Sequence, residues 1–184
     1  MRINQIGDPI LRKVCRPVEH SEIDSTVIKN TIIKMNEILN GIKAISNENG
    51  NAIAAPQVGH SVRIVLLRLK EQFVPMINPS FTQMSDETFE LEEECFSFYH
   101  LRGLVTRYSN IRVDYLDENA RTTSILLEGE VAGIAQHEVD HLDGIFFLDR
   151  LKDKSSIKSV DFMLRDNPQR LSTVRKMMSY MVGY

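Results

Sequence analysis

The segment Glu130-Val131-Ala132-Gly133-Ile134-Ala135-Gln136-His137-Glu138-Val139-Asp140-His141-Leu142 has helical texture, and Gly144 is placed to stop the helix. Val131, Ile134, Ala135, Val139 and Leu142 form an apolar stripe, which predicts a helix inside the fold rather than on its surface. On a helix, positions i and i+4 stand one above the other, so His137 and His141 present two imidazoles to a single point. Two neutral imidazoles one turn apart suit a divalent metal, and Glu138, directly after the first, can face water at that metal. The alternative is a pair of surface histidines on a polar face. The apolar stripe argues for burial, and buried imidazoles need partners.

Upstream, from Ala52 to Leu127, short β-like runs alternate with turn residues. The runs are Val62–Leu69, Phe73–Ile77, Phe81–Met84, Leu104–Tyr108, Ile111–Leu116 and Thr122–Leu127. Asp117-Glu118-Asn119 reads as a hairpin turn, and Asn78-Pro79 punctuates another pair. Such close spacing favours antiparallel pairing over crossovers. Before these runs, Ile28, Ile32, Met35, Leu39 and Ile42 mark one face of a scaffold helix over Ser25–Ala44. Ser21 or Asp24 is its expected cap, and Gly41 with the Ser46–Asn51 stretch its expected end. After the Ile145–Leu148 run, Leu171, Val174, Met178 and Met181 define a C-terminal amphipathic helix that covers the core. Strands followed by helices give an α+β fold, with antiparallel sheets around a central buried helix. No repeat or linker divides the chain, so one domain over residues 1–184 is expected.

A catalytic metal site takes three protein ligands and leaves one position open. The third donor must come from elsewhere. Glu92-Glu93-Glu94-Cys95-Phe96-Ser97 offers a cysteine among residues that do not look like core. A lone cysteine is more often structural, but beside a His-Glu-x-x-His helix its thiolate completes a Cys/His/His set. Gly50-Asn51-Ala52-Ile53-Ala54-Ala55-Pro56-Gln57-Val58-Gly59 is rich in small residues that let backbone approach a ligand, and Gln57 supplies an amide donor for a developing oxyanion. Alone, that segment would read as a tight loop with Gln57 in solvent.

With 42% hydrophobic and 26% charged residues and a net charge of −3, the 184-residue chain has an ordinary globular composition. Nothing in that charge balance draws it toward nucleic acid or anionic lipid. No apolar run is long enough to span a bilayer, and no signal-peptide core is evident, so a cytoplasmic or organelle-interior setting is expected. Cys15 reads as a small structural apolar residue; sequence leaves a disulfide to Cys95 open.

The three segments, in this order, resemble the signature motifs of the peptide deformylase family: Gly-x-Gly-Leu-Ala-Ala-Pro-Gln-x-Gly, Glu-Gly-Cys-Leu-Ser and Gln-His-Glu-x-Asp-His. The likeness runs from Ile6-Gly7-Asp8-Pro9-Ile10-Leu11-Arg12 to Phe147-Leu148-Asp149-Arg150-Leu151. The resemblance implies that Cys95, His137 and His141 bind one divalent metal, typically Fe²⁺, with Zn²⁺ or Ni²⁺ able to substitute. It implies that Glu138 moves protons, and that Gln57 and the Phe96 backbone N–H stabilise the oxyanion. Gly50, Asn51, Ala52, Ile53, Leu91, Glu94, Ile134 and His137 would meet the substrate, and Arg102 and Arg107 would support the site. The implied reaction removes the formyl group from nascent chains beginning with formyl-methionine. An N-formylated peptide, and with it the ribosome near its exit tunnel, are the expected partners.

Departures from the family pattern sit beside the substrate. Ala52 replaces a glycine, Glu94 replaces the glycine before the cysteine, and Phe96 replaces leucine. Glu130 and Gly133 also differ from the usual apolar and larger residues. With Glu92 and Glu93 nearby, an acidic cleft mouth is expected. Two readings follow: an ordinary deformylase with a variant pocket, or a divergent paralogue with low or altered activity. From other classes, a zinc endopeptidase usually takes its third ligand from downstream, and a non-catalytic metal-binding module would not need Glu138.

Overall fold

The computed structural model describes residues 3–183; residues 1, 2 and 184, the ends of the expected domain, lie outside them. The first long element, α1 (Thr26–Ile45), buries Ile28, Ile32, Met35, Leu39 and Ile42 along one face. Each such side chain contributes roughly 1.5–3 kcal/mol on removal from water. The cap is neither Ser21 nor Asp24 but Ser25, whose side chain accepts from the Ile28 N–H. The helix also runs through Gly41 instead of stopping there. A Cβ on Gly41 would stand 1.9 Å from the Tyr180 hydroxyl, so this glycine admits a neighbouring helix.

Strands β1 (Ala52–Ala54), β2 (Ile64–Leu69), β3 (Gln72–Met84), β6 (Asn110–Leu116) and β7 (Thr122–Glu128) pair antiparallel in the order β1-β2-β3-β6-β7. A second sheet joins β4 (Thr88–Glu93), β5 (Leu101–Tyr108) and the short β8 (Lys158–Ser159). Asn78-Pro79 does not separate two strands. It forms a bulge inside β3, where the register shifts between Ile77 and Ser80. Asn78, at φ 52°, turns its side chain out to pair with the backbone N–H and C=O of Val18, both at 2.8 Å. The Asp117 turn is as expected: its carboxylate accepts from the N–H groups of Asn119 and Arg121.

Between the sheets lies α2 (Gly129–Leu142), packed on β1, β2, β5, β6 and β7. Every residue from Ala135 to Leu142 is buried. Val131 is the exception to the predicted stripe: it is exposed, as are Gly129 and Glu130 in the same first turn of α2. Two short helices, α3 (Phe147–Arg150) and α4 (Val160–Met163), lead to α5 (Pro168–Val182). Val174, Met177 and Met181 of α5 are buried in the cluster that includes α1, so this helix covers the core. The architecture is α+β, with antiparallel sheets around a central helix.

Candidate metal centre

Strand β4 ends at Glu93, and Cys95 follows at the cap of a 3-10 turn over Phe96–Phe98. This delivers the Cys95 sulfur to the buried face of α2. The ligand atoms of Cys95, His137 and His141 lie within 4.8 Å of one another, with Sγ 3.3 Å from His141 Nε2. All three residues are buried. Among the described residues both cysteines are free, and Cys15 is a core residue apart from this cluster.

His137 is oriented from behind. Its Nδ1 lies 2.7 Å from Glu93 Oε2, which leaves Nε2 for the cluster. Glu93 is in turn gripped by Arg107 through Nε at 2.6 Å and Nη2 at 3.0 Å. Arg107 Nη1 reaches Asp140 Oδ2 at 2.7 Å, and Arg150 holds the same carboxylate from the surface side. Burial pushes the Glu93 carboxyl up, but hydrogen bonds from His137 and Arg107 outweigh it and hold the group below its ordinary range. Gln136 fixes α2 to the end of β5 by exchanging hydrogen bonds with the Tyr108 backbone.

Burial alone would make both imidazoles less basic. For His137, contact with Cys95 and Glu93 reverses this, and its pKa is raised well above normal. For His141 the neighbouring His137 adds to burial, and the ring is held neutral. The three donor atoms converge on one point that a cation would stabilise. Glu138 completes the picture. Burial raises its carboxyl to about 7, against the pull of His137, and its Oε2 is buried with no partner. Converging soft and imidazole donors beside an orphaned carboxylate oxygen fit a divalent transition metal.

Gln57 is buried, not in solvent. It sits in a 3-10 turn over Ala55–Val58, which Lys34 of α1 ties down through the Val58 carbonyl. Gln57 Oε1 accepts from the Ala54 N–H at 2.9 Å. Its Nε2 therefore faces the centre, 3.2 Å from Ser97 Oγ and 3.8 Å from Cys95 Sγ.

The centre opens into a cavity of about 290 Å³. Gly50, Asn51, Ala52, Leu91, Glu94, Ile134, His137, Glu138, Gln57 and Phe96 all line it, as do Glu48, Asn49 and Arg170. Ile53 does not; its side chain is fully buried in the scaffold cluster with α1, because alternation along β1 turns it away. Glu48, Glu92, Glu93, Glu94 and Glu130 all line this cavity, and Glu92, Glu93 and Glu94 have basic partners. Glu93 is buried against Arg107, Glu94 pairs with Arg102 at 2.6 Å, and Glu92 lies 3.6 Å from Lys158. Gly133 explains one departure: a Cβ there would stand 2.7 Å from Leu91 Cδ2, so α2 and β4 approach closely at this point.

Comparison with known proteins agrees with this geometry. Residues 1–156 match the polypeptide deformylase family model. A peptide deformylase from Treponema pallidum is 37% identical over 154 residues, covering 84% of this chain and 90% of that protein. The crystal structure of peptide deformylase from Thermotoga maritima superposes with a TM-score of 0.72 at 35% identity, covering 83% of this chain and 97% of the other. A class I type b peptide deformylase from Acinetobacter baumannii, solved with Met-Ala-Ser bound, gives a TM-score of 0.72 at 31% identity, covering 82% and 98%. The buried helix, the upstream thiol and this likeness along most of the chain lead to one conclusion: the chain belongs to the peptide deformylase family.

Proposed function

We propose that this chain is a peptide deformylase that hydrolyses the N-formyl group of peptides beginning with formyl-methionine, releasing formate and a free amine. The observation that carries the reading is the cluster of Cys95, His137 and His141 beside the unpartnered carboxylate oxygen of Glu138. Peptide deformylases are metal-dependent, and these three residues would hold the ion. Thiolate and imidazole donors favour soft divalent ions over Mg²⁺, and the family likeness makes Fe²⁺ the expected one. When bound, such an ion polarises the formyl carbonyl and makes water acidic enough to attack near neutral pH.

The chain's own groups do the rest. Glu138 takes the proton of the attacking water and passes it to the departing amine, a role its burial-raised pKa suits. Gln57 Nε2 and the Phe96 N–H stand as donors for the oxyanion. The cavity lies between β1 and β4, each an edge strand of its sheet. An extended peptide fits there by adding backbone hydrogen bonds to either edge. Leu91 and Ile134 offer apolar surface for the methionine side chain. We place the activity in one domain over residues 1–184 and in the cytoplasm or an organelle interior; no helix among the described residues is long and apolar enough to cross a membrane.

The test is formate release from formyl-Met-Ala-Ser by protein loaded anaerobically with Fe²⁺, with metal content measured in parallel. No turnover above buffer at one bound metal per chain would refute the reading.

A further inference from the structure

We propose that the hydrogen bond between Glu94 and Asn49 is a bar across the substrate cleft, limiting how readily residues downstream of formyl-methionine pass into a second cavity beneath α4 and α5. The inference rests on the deformylase reading and deepens it, by naming the residues that set substrate length.

Beside the catalytic cavity lies a larger one of about 710 Å³, lined in part by Tyr99, Arg102, Leu164, Val174 and Met177. Five residues line both: Glu48, Asn49, Glu92, Glu94 and Arg170. The two spaces therefore meet at a junction, and two ties cross it. The outer tie, Arg170 Nη2 to Glu48 Oε2, is 3.9 Å long between largely exposed side chains and is weak. The inner tie runs from Asn49 Nδ2 to Glu94 Oε1 at 2.9 Å. Asn49 belongs to the loop before β1 and Glu94 directly follows β4, so this bond joins the two walls that flank the substrate.

Both ends of the inner tie are anchored. Asn49 Oδ1 accepts from Ser46 Oγ at 2.7 Å. Glu94 Oε2 is paired with Arg102, and Oε1 accepts a second hydrogen bond from the Tyr99 hydroxyl at 3.2 Å. Arg102 is itself nearly buried, lies over the Tyr99 ring and donates to the carbonyls of Tyr99 and Leu101. The carboxylate is thus held in place, and a hydrogen bond to a charged acceptor is stronger than a neutral one. A cavity of about 290 Å³ is at the small end for ligand sites. At that volume it suits a short N-terminal segment of the peptide. On this proposal a longer extended chain, rising about 3.3 Å per residue, runs over the shared lining into the second cavity and displaces the bar.

The experiment compares kcat/KM for formyl-Met-Ala and formyl-Met-Ala-Ser-Ala-Ser-Ala in metal-loaded wild type, Asn49→Ala and Asn49→Asp. Asn49→Ala removes the tie, and Asn49→Asp sets a second carboxylate against Glu94. Both variants are expected to raise the long-to-short ratio by about fivefold to tenfold, through KM for the longer peptide. A ratio that falls, or stays within twofold of wild type, overturns the bar. Absence of formate release from both peptides by the wild type would instead overturn the deformylase reading.

Discussion

Glu93 Oε2 stands 2.7 Å from His137 Nδ1, while both Glu93 oxygens are engaged by Arg107. A buried carboxylate is thereby used to aim an imidazole, and a buried arginine to aim the carboxylate. Replacing Glu93 with Gln keeps the shape and removes the charge that stabilises the ring as a ligand. Metal affinity is expected to fall about 10- to 100-fold, with the fold retained. Competitive chelator titration checks this, and an affinity within twofold of wild type contradicts it.

Glu138 is a different kind of acid, with a buried oxygen that no described residue satisfies. A Glu138→Gln variant is expected to keep its metal and lose about 10²- to 10⁴-fold in kcat. Single-turnover formate release with parallel metal analysis separates the two effects. Unchanged turnover would remove Glu138 from the proton-transfer role.

Gly144, at φ 71°, lies against the backbone of Arg12; a Cβ there would stand 2.6 Å from the Arg12 carbonyl oxygen. The same region holds the Cys15 N–H to the Leu142 carbonyl at 2.7 Å, joining the N-terminal segment to the end of α2. Gly144→Ala combines a left-handed backbone with a steric clash and is expected to cost on the order of 1–3 kcal/mol. Thermal unfolding should register a drop of about 2–4 °C for each kcal/mol. An unchanged melting temperature would show that the junction yields.

Asp149 caps the first turn of α3 through the Phe146 N–H and is ion-paired with Arg12. Burial raises its carboxyl, but the Arg12 hydrogen bond and the Phe146 N–H lower it more, so its folded pKa is depressed. The contribution to stability is therefore complete above the unfolded value, about 3.9, and fades as pH falls through the lower folded value. Comparing wild type with Asp149→Asn by denaturant titration should show a gap at pH 7 that narrows as pH falls below about 3.9. A gap that widens in acid would reverse the assignment.

How much of this was legible beforehand depends on the range of each signal. His137 and His141 were readable because helical spacing places them together without knowledge of anything else. The arrival of Cys95 at the same point is a tertiary event, suggested by the need for a third donor and by motif likeness. Among Glu92, Glu93 and Glu94, three identical side chains hide which one turns inward. The alternation was present nonetheless: Phe89 and Leu91 put Glu93 on the inner face of β4, beside His137. Acidic residues with poor strand propensity masked that strand from a reading by composition. At α1, three residues able to cap a helix lie within five positions, so the choice of Ser25 was a matter of packing. Gly41 misled because a glycine that admits the Tyr180 ring looks, locally, like one that ends a helix.

Two sheets in this protein stop short of each other, and β1 and β4 keep their outer edges unpaired across the groove. An edge ready to welcome one extended chain is ready to welcome any, including another copy in a crowded solution. Here β1 is only three residues long, and β4 turns Glu90 and Glu92 outward to solvent. The acidic texture that obscured β4 in the sequence thus acts as a gatekeeper against aggregation, leaving the groove open to a single slender guest.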